Sequence, residues 1–384
     1  MKKVVFLILV SFLFSQCNTP STTQVTAHAP VVSSKSVDNI KRPKNIILMI
    51  GDGMGLTQIS AGYYMNNGQL NLLKFPYVGL HINYPAEDST VITDSAAGAT
   101  AFSIGEKTYN GAIGVGKDSL PRETILETAE KRGLATGLVV TCNIQHATPA
   151  AFIAHEKSRA DYEPIAEDFL KTDIDFFIGG GKQFFDNRKT DNRNLLKELE
   201  TKGYQISDWI KEDLDKVTIT KNKFAYFTAN NQPLTAEQGR NYLPFGSKMA
   251  CNFLQKNSTK GFFMMVEGSQ IDWGGHAGNS NYIINEMLDF DKAIGEVLDF
   301  AKKDGNTLVI VTADHETGGY ALIKGSNWGN VKGSFGDTKP DKNGSIYHTC
   351  AFIPVFAFGP GSENFTGTYQ NTAIYQKMKL LFGF

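Results

Sequence analysis

Continuous apolar runs that end in acidic, polar or glycine-rich residues recur along the chain and restrict its fold most strongly. Six of them predict strands, at 45–50, 134–141, 175–179, 261–266, 307–312 and 354–358. Helical patterns also occur, at 124–131, 162–170, 194–202, 245–255, 282–303 and 372–381. Strands that alternate with helices predict an α/β fold, and continuously apolar strands indicate a parallel sheet covered on both faces. We therefore expect a three-layer sandwich with a central, mostly parallel sheet flanked by helices.

The charge balance excludes some classes of partner. The 384 residues include 38 Lys and Arg against 39 Asp and Glu, a formal net charge of −1. This balance does not indicate the basic surface of a nucleic-acid-binding protein, so we expect no nucleic-acid partner. The sequence contains no internal repeat and no change in composition that would mark a second folded domain after residue 45. Two polar, turn-rich stretches, 208–232 and 324–344, are predicted excursions from the domain.

The first 17 residues have the features of an export signal. Lys2 and Lys3 precede an apolar run at 4–14 that is too short to span a bilayer. Cys17 follows this run and resembles the lipidated cysteine of a bacterial lipoprotein, although Phe14 and Gln16 depart from the usual pattern. A lipid anchor at Cys17 in the periplasm and a soluble exported protein are the two alternatives. Residues 18–44 are rich in Ser, Thr, Val and Pro and predict a flexible tether.

The remaining cysteines do not form a disulfide framework. Cys142, Cys251 and Cys350 are widely spaced and lie in apolar surroundings. We expect three buried thiols, and a single bridge stays open.

The stretch TDSAAGAT, residues 93–100, changes abruptly from β-branched to small, helix-compatible residues. The preceding residues 91–93 predict a strand end, followed by a tight corner and the first turn of a helix. Ser95 would lie at the helix N-terminus, where backbone N–H groups and the helix dipole favour an anion. Two interpretations stay open from this stretch alone: Ser95 is a nucleophile with a stabilised alkoxide, or it is an ordinary N-cap.

Acidic and histidine side chains cluster around the ends of the predicted strands. They are Asp52, Glu267, Asp272, His276, Asp314, His315 and His348. Asp272 and His276 are predicted in the loop after the strand that ends at Glu267. The carboxyl ends of strands are the edge at which open α/β sheets place their sites, so we expect these groups to meet there.

Asp and Glu oxygens with His nitrogens suit zinc, and an oxygen-rich set suits magnesium. Two metals about 4 Å apart can activate a nucleophile and stabilise a leaving oxygen in phosphoryl transfer. A serine beside them is better explained as a nucleophile than as a cap.

Each motif also has an ordinary explanation. GDGMG can be a tight turn, Asp314 and His315 can be a capping pair, and a lone His348 is more often a packed or surface histidine. A shared site explains all of them together better than independent coincidences do. His81 and His155 have no matching context, and we predict structural roles for both.

Taken together, the motifs resemble the alkaline phosphatase family, particularly its compact bacterial members. They are IGDGMG, TDSAAGATAF, HATPAAFIAHEKSR, VEGSQIDWGGHAG, TADHETGG and the HT before IPVFAFGP. The resemblance extends from about residue 45 to about residue 360. The resemblance implies an alkaline phosphatase-like catalytic domain over residues 45–384. This domain would hydrolyse small phosphate monoesters through a phosphoserine at Ser95. The resemblance also implies that the protein is a homodimer.

The resemblance also implies two zinc ions and one magnesium ion. The implied ligands of the first zinc are Asp272, His276 and His348. Those of the second zinc are Asp52, Asp314 and His315. Asp52 would bridge to magnesium, whose other implied ligands are Thr148 and Glu267.

Three further residues take roles from the resemblance. Arg159 would clamp the phosphate, since its planar fork matches two phosphate oxygens, and Asp94 would orient it. Considered by itself, Arg159 would be taken for a solvated arginine on a helix. His146 stands where the best-known bacterial pattern has a different side chain, and it could bind the third metal directly or through water.

Two other functions stay open from the sequence. The chain could be a phosphodiesterase or sulfatase of the same superfamily, which differs in its nucleophile and in how it holds the second ester substituent. It could also be a non-catalytic, metal-binding surface lipoprotein. The ratio of monoesterase to diesterase activity distinguishes an alkaline phosphatase from the first alternative. Metal binding without turnover of a phosphate ester would identify the second alternative.

Overall fold

The strand β1 (Asn45–Gly51) is buried along its whole length, and its side chains alternate between two separate cores. Ile46, Leu48 and Ile50 pack into one core, whereas Ile47 and Met49 pack into the other. This alternation is the period of a strand covered on both faces. The computed structural model describes residues 41–336 and 347–384, which belong to one unit that spans 38–384.

Ten of the described strands form the central sheet. After β1 they are β2 (Tyr77–Ile82), β3 (Ala135–Asn143), β4 (Phe176–Gly180), β5 (Tyr204–Asp208), β6 (Lys223–Phe227), β7 (Phe262–Gly268), β8 (Thr307–Thr312), β13 (Ile353–Phe358) and β14 (Gly367–Gln370). Two short pairs lie outside it: β9 (Glu316–Thr317) with β12 (His348–Thr349), and β10 (Ala321–Leu322) with β11 (Gly333–Ser334).

The order across the sheet is β14-β2-β13-β8-β1-β7-β3-β4-β6-β5. Strand β13 is antiparallel to β2 and β8, and the other neighbours are parallel. The strands β8, β1, β7 and β3 are therefore adjacent at the centre, with their carboxyl ends at one edge.

Helices cover both faces of the sheet. The described α-helices are α1 (Leu56–Met65), α2 (Ser95–Ile104), α3 (Ile125–Lys131), α4 (Ala147–Ile153), α5 (Tyr162–Asp168), α6 (Gln183–Asp186), α7 (Leu195–Thr201), α8 (Tyr242–Asn257), α9 (Gln270–His276), α10 (Ser280–Asp304) and α11 (Thr372–Phe382). Helices α1, α8 and α10 contribute to the core that contains Ile47, and α2 to α7 and α11 contribute to the core that contains Ile46. The predicted three-layer sandwich is confirmed.

The six predicted strands and six predicted helices are all present, with ends shifted by at most three residues. Four sheet strands were missed: β2, β5, β6 and β14. The predicted excursion at 208–232 is wrong where it contains β6, since KFAYF joins the sheet beside β4 and β5. Each missed strand has only four to six residues and lies toward an edge of the sheet, so its apolar run is short.

Two other local predictions are wrong. Residues 91–93 form no strand, because side chains rather than a neighbouring strand contact two of their backbone carbonyls. Asn110 donates to the carbonyl oxygen of Ile92, and Nδ1 of His348 lies 2.9 Å from the carbonyl oxygen of Thr93. Cys350 is exposed, since it follows the two-residue strand β12, whereas Cys142 and Cys251 are buried. The described cysteines are free thiols.

The export signal at 1–17 and most of the tether at 18–44 lie outside the described residues, as does part of the excursion at 324–344. None of the described helices is both long enough and apolar enough to cross a membrane.

His155 connects the segment that carries Arg159 to the rest of the domain. Its Nδ1 lies 2.8 Å from the carbonyl oxygen of Gly114, and its Nε2 lies 3.0 Å from Glu127 Oε1. Burial tends to lower the pKa of His155, but the hydrogen bonds to Glu127 and to the Gly114 carbonyl, together with the nearby carboxylate charges, outweigh burial and raise the pKa above 6.5. These contacts support the structural role predicted for His155. The contact of His81 Nε2 with the Ala313 carbonyl oxygen, 2.8 Å away, does the same for His81.

We predict that His155→Gln lowers the melting temperature more at acidic than at alkaline pH. A raised folded-state pKa means that protonated His155 stabilises the fold fully below pH 6.5, and this contribution is lost as pH rises through the folded-state pKa. Thermal unfolding of the parent and the variant across this range measures the effect. Lys157→Gln, which removes an exposed positive charge nearby, serves as the control. An equal loss at all pH values would contradict the prediction.

Candidate active site

The side chains selected from the sequence meet at the carboxyl ends of the four central strands. Asp52 follows β1, Glu267 is the penultimate residue of β7, and Asp314 follows β8. His146 follows β3 as the N-cap of α4. Because β8, β1, β7 and β3 are neighbours, Asp52 and His315, which are 263 positions apart in sequence, can approach each other in space. The expected placement of the acidic groups at this edge is confirmed.

Asp272 and His276 lie on a helix, so their predicted placement in a loop is wrong. Helix α9 has seven residues and places them at positions i and i+4, on one face. Gly274 and Gly275 weaken the helical signal in the sequence. Gly275 is required by packing, since a Cβ there would lie 2.8 Å from the side chain of Thr317.

The first cluster consists of Asp272, His276 and His348. His276 Nε2 lies 3.2 Å from Asp272 Oδ2, and His348 Nε2 lies 3.5 Å from Asp272 Oδ1. The two Nε2 atoms are 3.1 Å apart. The other ring nitrogen of His348 is held at 2.9 Å from the carbonyl oxygen of Thr93. Two imidazole nitrogens and a carboxylate that converge in this way form a donor set of the kind that binds zinc.

The second cluster surrounds His315, which is fully buried. Its Nε2 lies 3.1 Å from Asp314 Oδ2 and 3.5 Å from Asp52 Oδ1. Ser95 Oγ lies 3.2 Å from the same nitrogen. Nitrogen and carboxylate donors therefore meet beside the serine hydroxyl, as the sequence predicted.

The third group lies between β1, β7 and α4. Its buried oxygens include both carboxylate oxygens of Asp52, Oε1 of Glu267 and Oγ1 of Thr148, and none has a hydrogen-bond partner among the described residues. Nδ1 of His146 is also buried and unpaired within that part of the chain. Orphaned buried polar atoms are costly. Their convergence is the arrangement expected around a cation.

Ser95 is the first residue of α2 and is 1% exposed. The N-cap is Asp94, whose Oδ1 accepts a hydrogen bond from the Ala97 N–H at 2.9 Å. The structure therefore rejects the interpretation of Ser95 as the N-cap. Helix α2 is completely buried, and its Gly98 allows Asp314 to approach, since a Cβ there would lie 3.0 Å from Asp314 Cβ.

Arg159 lies in a turn before α5, not on a helix. Its Nη1 donates to Asp94 Oδ2 at 3.0 Å, and its Nη2 lies 3.4 Å from His146 Nε2. Asp94 also accepts from the backbone N–H of Gly111. Asp94 thus joins the start of α2 to the guanidinium of Arg159, as its predicted orienting role requires.

A cavity of about 430 Å³ opens over these groups and is lined by Ser95, Asp94, Arg159 and His276, among others. A slightly larger cavity of about 490 Å³ lies elsewhere, between Trp209 and Phe245, and contains none of the candidate side chains. The side chains that line a cavity, rather than its volume, therefore identify the candidate active site.

Negative charge dominates the electrostatics of the site. Burial raises the pKa of Asp52, and the carboxylates of Asp314 and Asp272 raise it further. Burial also raises the pKa of Glu267 to about 7. Burial also tends to raise the pKa of Asp272, but the hydrogen bond to His276 and the charges of His276, His348 and His315 together outweigh burial and lower the pKa.

The histidines respond in opposite directions. Burial lowers the pKa of His348 to about 4, assisted by the charge of His315. Burial also lowers the pKa of His146, to about 3, and the charge of Arg159 acts in the same direction. Burial tends to lower the pKa of His315 as well, but the charge and hydrogen bond of Asp314 and the charge of Asp272 together outweigh burial and raise the pKa. Neutral His348 and His146 have lone pairs available to bind a cation.

Sequence reasoning missed residues that hold this site together. Asn110 accepts from the Asp94 backbone N–H at 2.8 Å, and Thr317 donates to Asp272 Oδ1. Cys142 donates to Glu267 Oε2 at 3.3 Å and, with His146, belongs to the third group. Glu316 accepts hydrogen bonds from Gln58 and Thr349 beside the site. It immediately follows His315 in the motif TADHETGG, so the sequence offered a signal for it. The contacts of Asn110 and Cys142 have no local signal.

Comparison with known proteins agrees with this geometry. The family model described as alkaline phosphatase matches residues 43–345. Alkaline phosphatase 3 of Bacillus subtilis is 39% identical over 82% of this chain and 69% of that protein. The Escherichia coli alkaline phosphatase is 34% identical over 89% of this chain and 87% of that protein.

Solved structures give the same result. Alkaline phosphatase from the Antarctic bacterium TAB5 aligns with a TM-score of 0.81 at 43% identity, covering 90% of this chain and 99% of that chain. A histidine-to-aspartate variant of that enzyme was solved with magnesium bound in its M3 site. The fold, the placement of the motifs and these matches lead to one conclusion: the chain belongs to the alkaline phosphatase family and is a phosphate-monoester hydrolase.

Proposed function

We propose that this protein is an exported, metal-dependent alkaline phosphatase that acts through a covalent phosphoserine at Ser95. The observation that carries the proposal is the position of Ser95 Oγ, 3.2 Å from His315 Nε2 in a buried cluster of carboxylates. A serine that only caps a helix does not require a histidine and buried carboxylates beside its hydroxyl. The products are inorganic phosphate and an alcohol.

The donor sets support the metal assignment. We assign one zinc to Asp272, His276 and His348, and a second to Asp52, Asp314 and His315. When bound, these ions supply a positive field that lowers the pKa of the serine hydroxyl and of water and stabilises the departing oxygen. Magnesium is assigned to the oxygen-rich group of Asp52, Glu267 and Thr148, with His146 beside it.

The Ser95 hydroxyl loses its proton to solvent and Oγ attacks the phosphorus atom. The bond between phosphorus and the ester oxygen breaks, and the departing oxygen takes up a proton from solvent to give the alcohol. Water then attacks the phosphoserine, which releases phosphate and regenerates the hydroxyl. The N-terminus of α2 favours the negative charge that develops at Ser95 and on the phosphoryl oxygens. Asp94 supports this geometry, since it caps α2 and also holds Arg159.

Arg159 and the proposed magnesium site of Thr148 and Glu267 together favour monoesters over diesters, because both would face the additional charged oxygen of a monoester. The planar guanidinium of Arg159 can bind two non-bridging phosphate oxygens, and Asp94 and His146 hold it at the cavity that Ser95 lines. A monoester presents one more charged oxygen than a diester. The open cavity of about 430 Å³ leaves room for leaving groups of different sizes.

Activity should depend on metals and on monoester substrates. We expect hydrolysis of p-nitrophenyl phosphate to increase from neutral to alkaline pH, to disappear after chelation, and to return only with zinc and magnesium together. Bis(p-nitrophenyl) phosphate serves as the diester control. Activity independent of zinc, or hydrolysis of the diester alone, would contradict the proposal.

Ser95→Ala should reduce kcat by more than about 1,000-fold, because the covalent step loses its nucleophile. Its zinc content, measured by mass spectrometry, should match that of the parent. Ser103→Ala is the matched control, since Ser103 is a buried serine on the same helix whose hydroxyl donates to the Thr100 carbonyl. A Ser95→Ala protein with parental activity, or one that has lost its zinc, would refute the assigned role.

Export is supported by the N-terminal sequence alone. Lys2, Lys3 and the apolar run at 4–14 precede Cys17, the candidate site of lipidation. We predict that the mature protein made in a bacterial host begins at Cys17 and carries a lipid, which mass analysis of the N-terminus measures. An unprocessed N-terminus would contradict export, and cleavage without lipid would support the soluble alternative. A homodimer stays a prediction from the family resemblance.

A further inference from the structure

Glu316 follows two candidate metal ligands in sequence, yet its carboxylate belongs to none of the metal-binding clusters of the described residues. It is 6% exposed and accepts four hydrogen bonds. Oε1 accepts from Gln58 Nε2 at 2.7 Å and from the Tyr320 N–H at 3.0 Å. Oε2 accepts from Thr349 Oγ1 at 2.5 Å and from the Gly319 N–H at 3.1 Å.

These donors lie on segments that carry the candidate ligands. Gln58 is on α1, close after Asp52, and its Nε2 also donates to the carbonyl oxygen of Thr317 at 3.0 Å. Thr349 is adjacent to His348 on β12. Glu316 itself is adjacent to His315. One buried carboxylate therefore links the segments of Asp52, His315 and His348.

Strand β12 depends on this link. It has two residues, and it pairs with β9 through His348 opposite Thr317 and Thr349 opposite Glu316. A pair of this length is not stable by itself. The hydroxyl of Thr349 adds a side-chain bond to the ladder, directly beside the histidine that must approach Asp272.

The packing around Glu316 leaves little room for another arrangement. A Cβ at Gly55 would lie 2.5 Å from Glu316 Cγ, so the turn after β1 is packed directly against this side chain. Each carboxylate oxygen of Glu316 accepts two hydrogen bonds, whereas an amide has only one oxygen that can accept and an NH₂ group that cannot. The link thus requires a carboxylate of this length at this position.

We propose that Glu316 is a positioning residue that keeps His348 aligned with Asp272 and His276, and that the Thr349–Glu316 hydrogen bond controls how long the metal at this cluster stays bound. The inference rests on the metal assignment of the proposed function. Groups that orient metal ligands typically change metal affinity or activity by about 10- to 100-fold when they are removed.

The decisive pair of variants is Thr349→Val and Thr349→Ser. Valine keeps the shape and the strand preference of threonine but removes the hydroxyl, whereas serine keeps the hydroxyl. With the zinc-loaded proteins and a chromogenic chelator, we expect Thr349→Val to release one zinc about 10- to 100-fold faster than the parent and the second zinc at the parental rate. Thr349→Ser should release both ions at rates close to those of the parent.

Glu316→Gln tests the carboxylate itself. In either orientation of the new side chain, its NH₂ group would face two of the four donors, so we expect faster release of zinc from both clusters. The cobalt-substituted variant should also have an altered visible absorption spectrum, because the ligand geometry changes. Glu200→Gln, an exposed glutamate on α7, is the matched control.

The outcomes separate this inference from the proposed function. If the parent holds two zinc ions and Thr349→Val releases both at parental rates, the positioning role is wrong and the metal assignment stands. If Thr349→Val and Glu316→Gln lower the melting temperature without changing zinc release or the cobalt spectrum, the role of Glu316 is limited to folding. This result also overturns the inference. If the parent holds no zinc, the metal assignment fails and the inference fails with it.

Discussion

Burial of four carboxylates at one edge of the sheet is the constraint on which the rest of the structure depends. Asp52, Glu267, Asp272 and Asp314 are each no more than 3% exposed, and Arg159 is the cation whose charge reaches Asp52. Unpaired charges in a protein interior are very unfavourable. The cations proposed for this site would resolve this conflict, since the histidine nitrogens and orphaned oxygens around the carboxylates form donor sets of the kind that bind a metal ion. A site built in this way would be stabilised by the metal ions that we propose it binds.

The scaffold maintains this arrangement by close backbone approach. Gly53 has φ +72°, and a Cβ there would lie 2.7 Å from Asp272 Cα, so the turn after β1 touches helix α9 directly. Gly98 allows α2 to approach Asp314 in the same manner. The small residues of the motifs are therefore explained by contact distances as much as by local conformation. They bring the serine-bearing helix and the ligand-bearing strands together.

Polar side chains around the site then determine the orientation of each functional group. Asp94 caps α2 and also holds Arg159. The Thr93 carbonyl oxygen holds Nδ1 of His348, and Glu316 joins its own segment to those of Gln58 and Thr349. Orienting partners of this kind fix the tautomer and direction of ligand side chains. The site is consequently a network that crosses four strands, and a change at one of these partners is expected to affect groups that it does not touch.

The sequence by itself determined the residue types, the six principal strands and the order of the motifs along them. Those features are local: apolar runs, abrupt changes of composition, and acidic or histidine residues near strand ends. They were sufficient for the fold class and for the acidic and histidine candidates at the strand ends, whereas the roles of Asp94, His146, Thr148 and Arg159 came only from the family resemblance.

Only the tertiary structure decided which groups meet. Strands near the edges of the sheet, such as β6, have too short an apolar pattern to be recognised, and the glycines of α9 conceal its helix. The contacts of Asn110 with Asp94, of Cys142 with Glu267 and of Glu316 with Thr349 join residues 16, 125 and 33 positions apart. Such pairings depend on strand order and register, which are set by packing of the whole sheet and leave no periodic trace in the sequence.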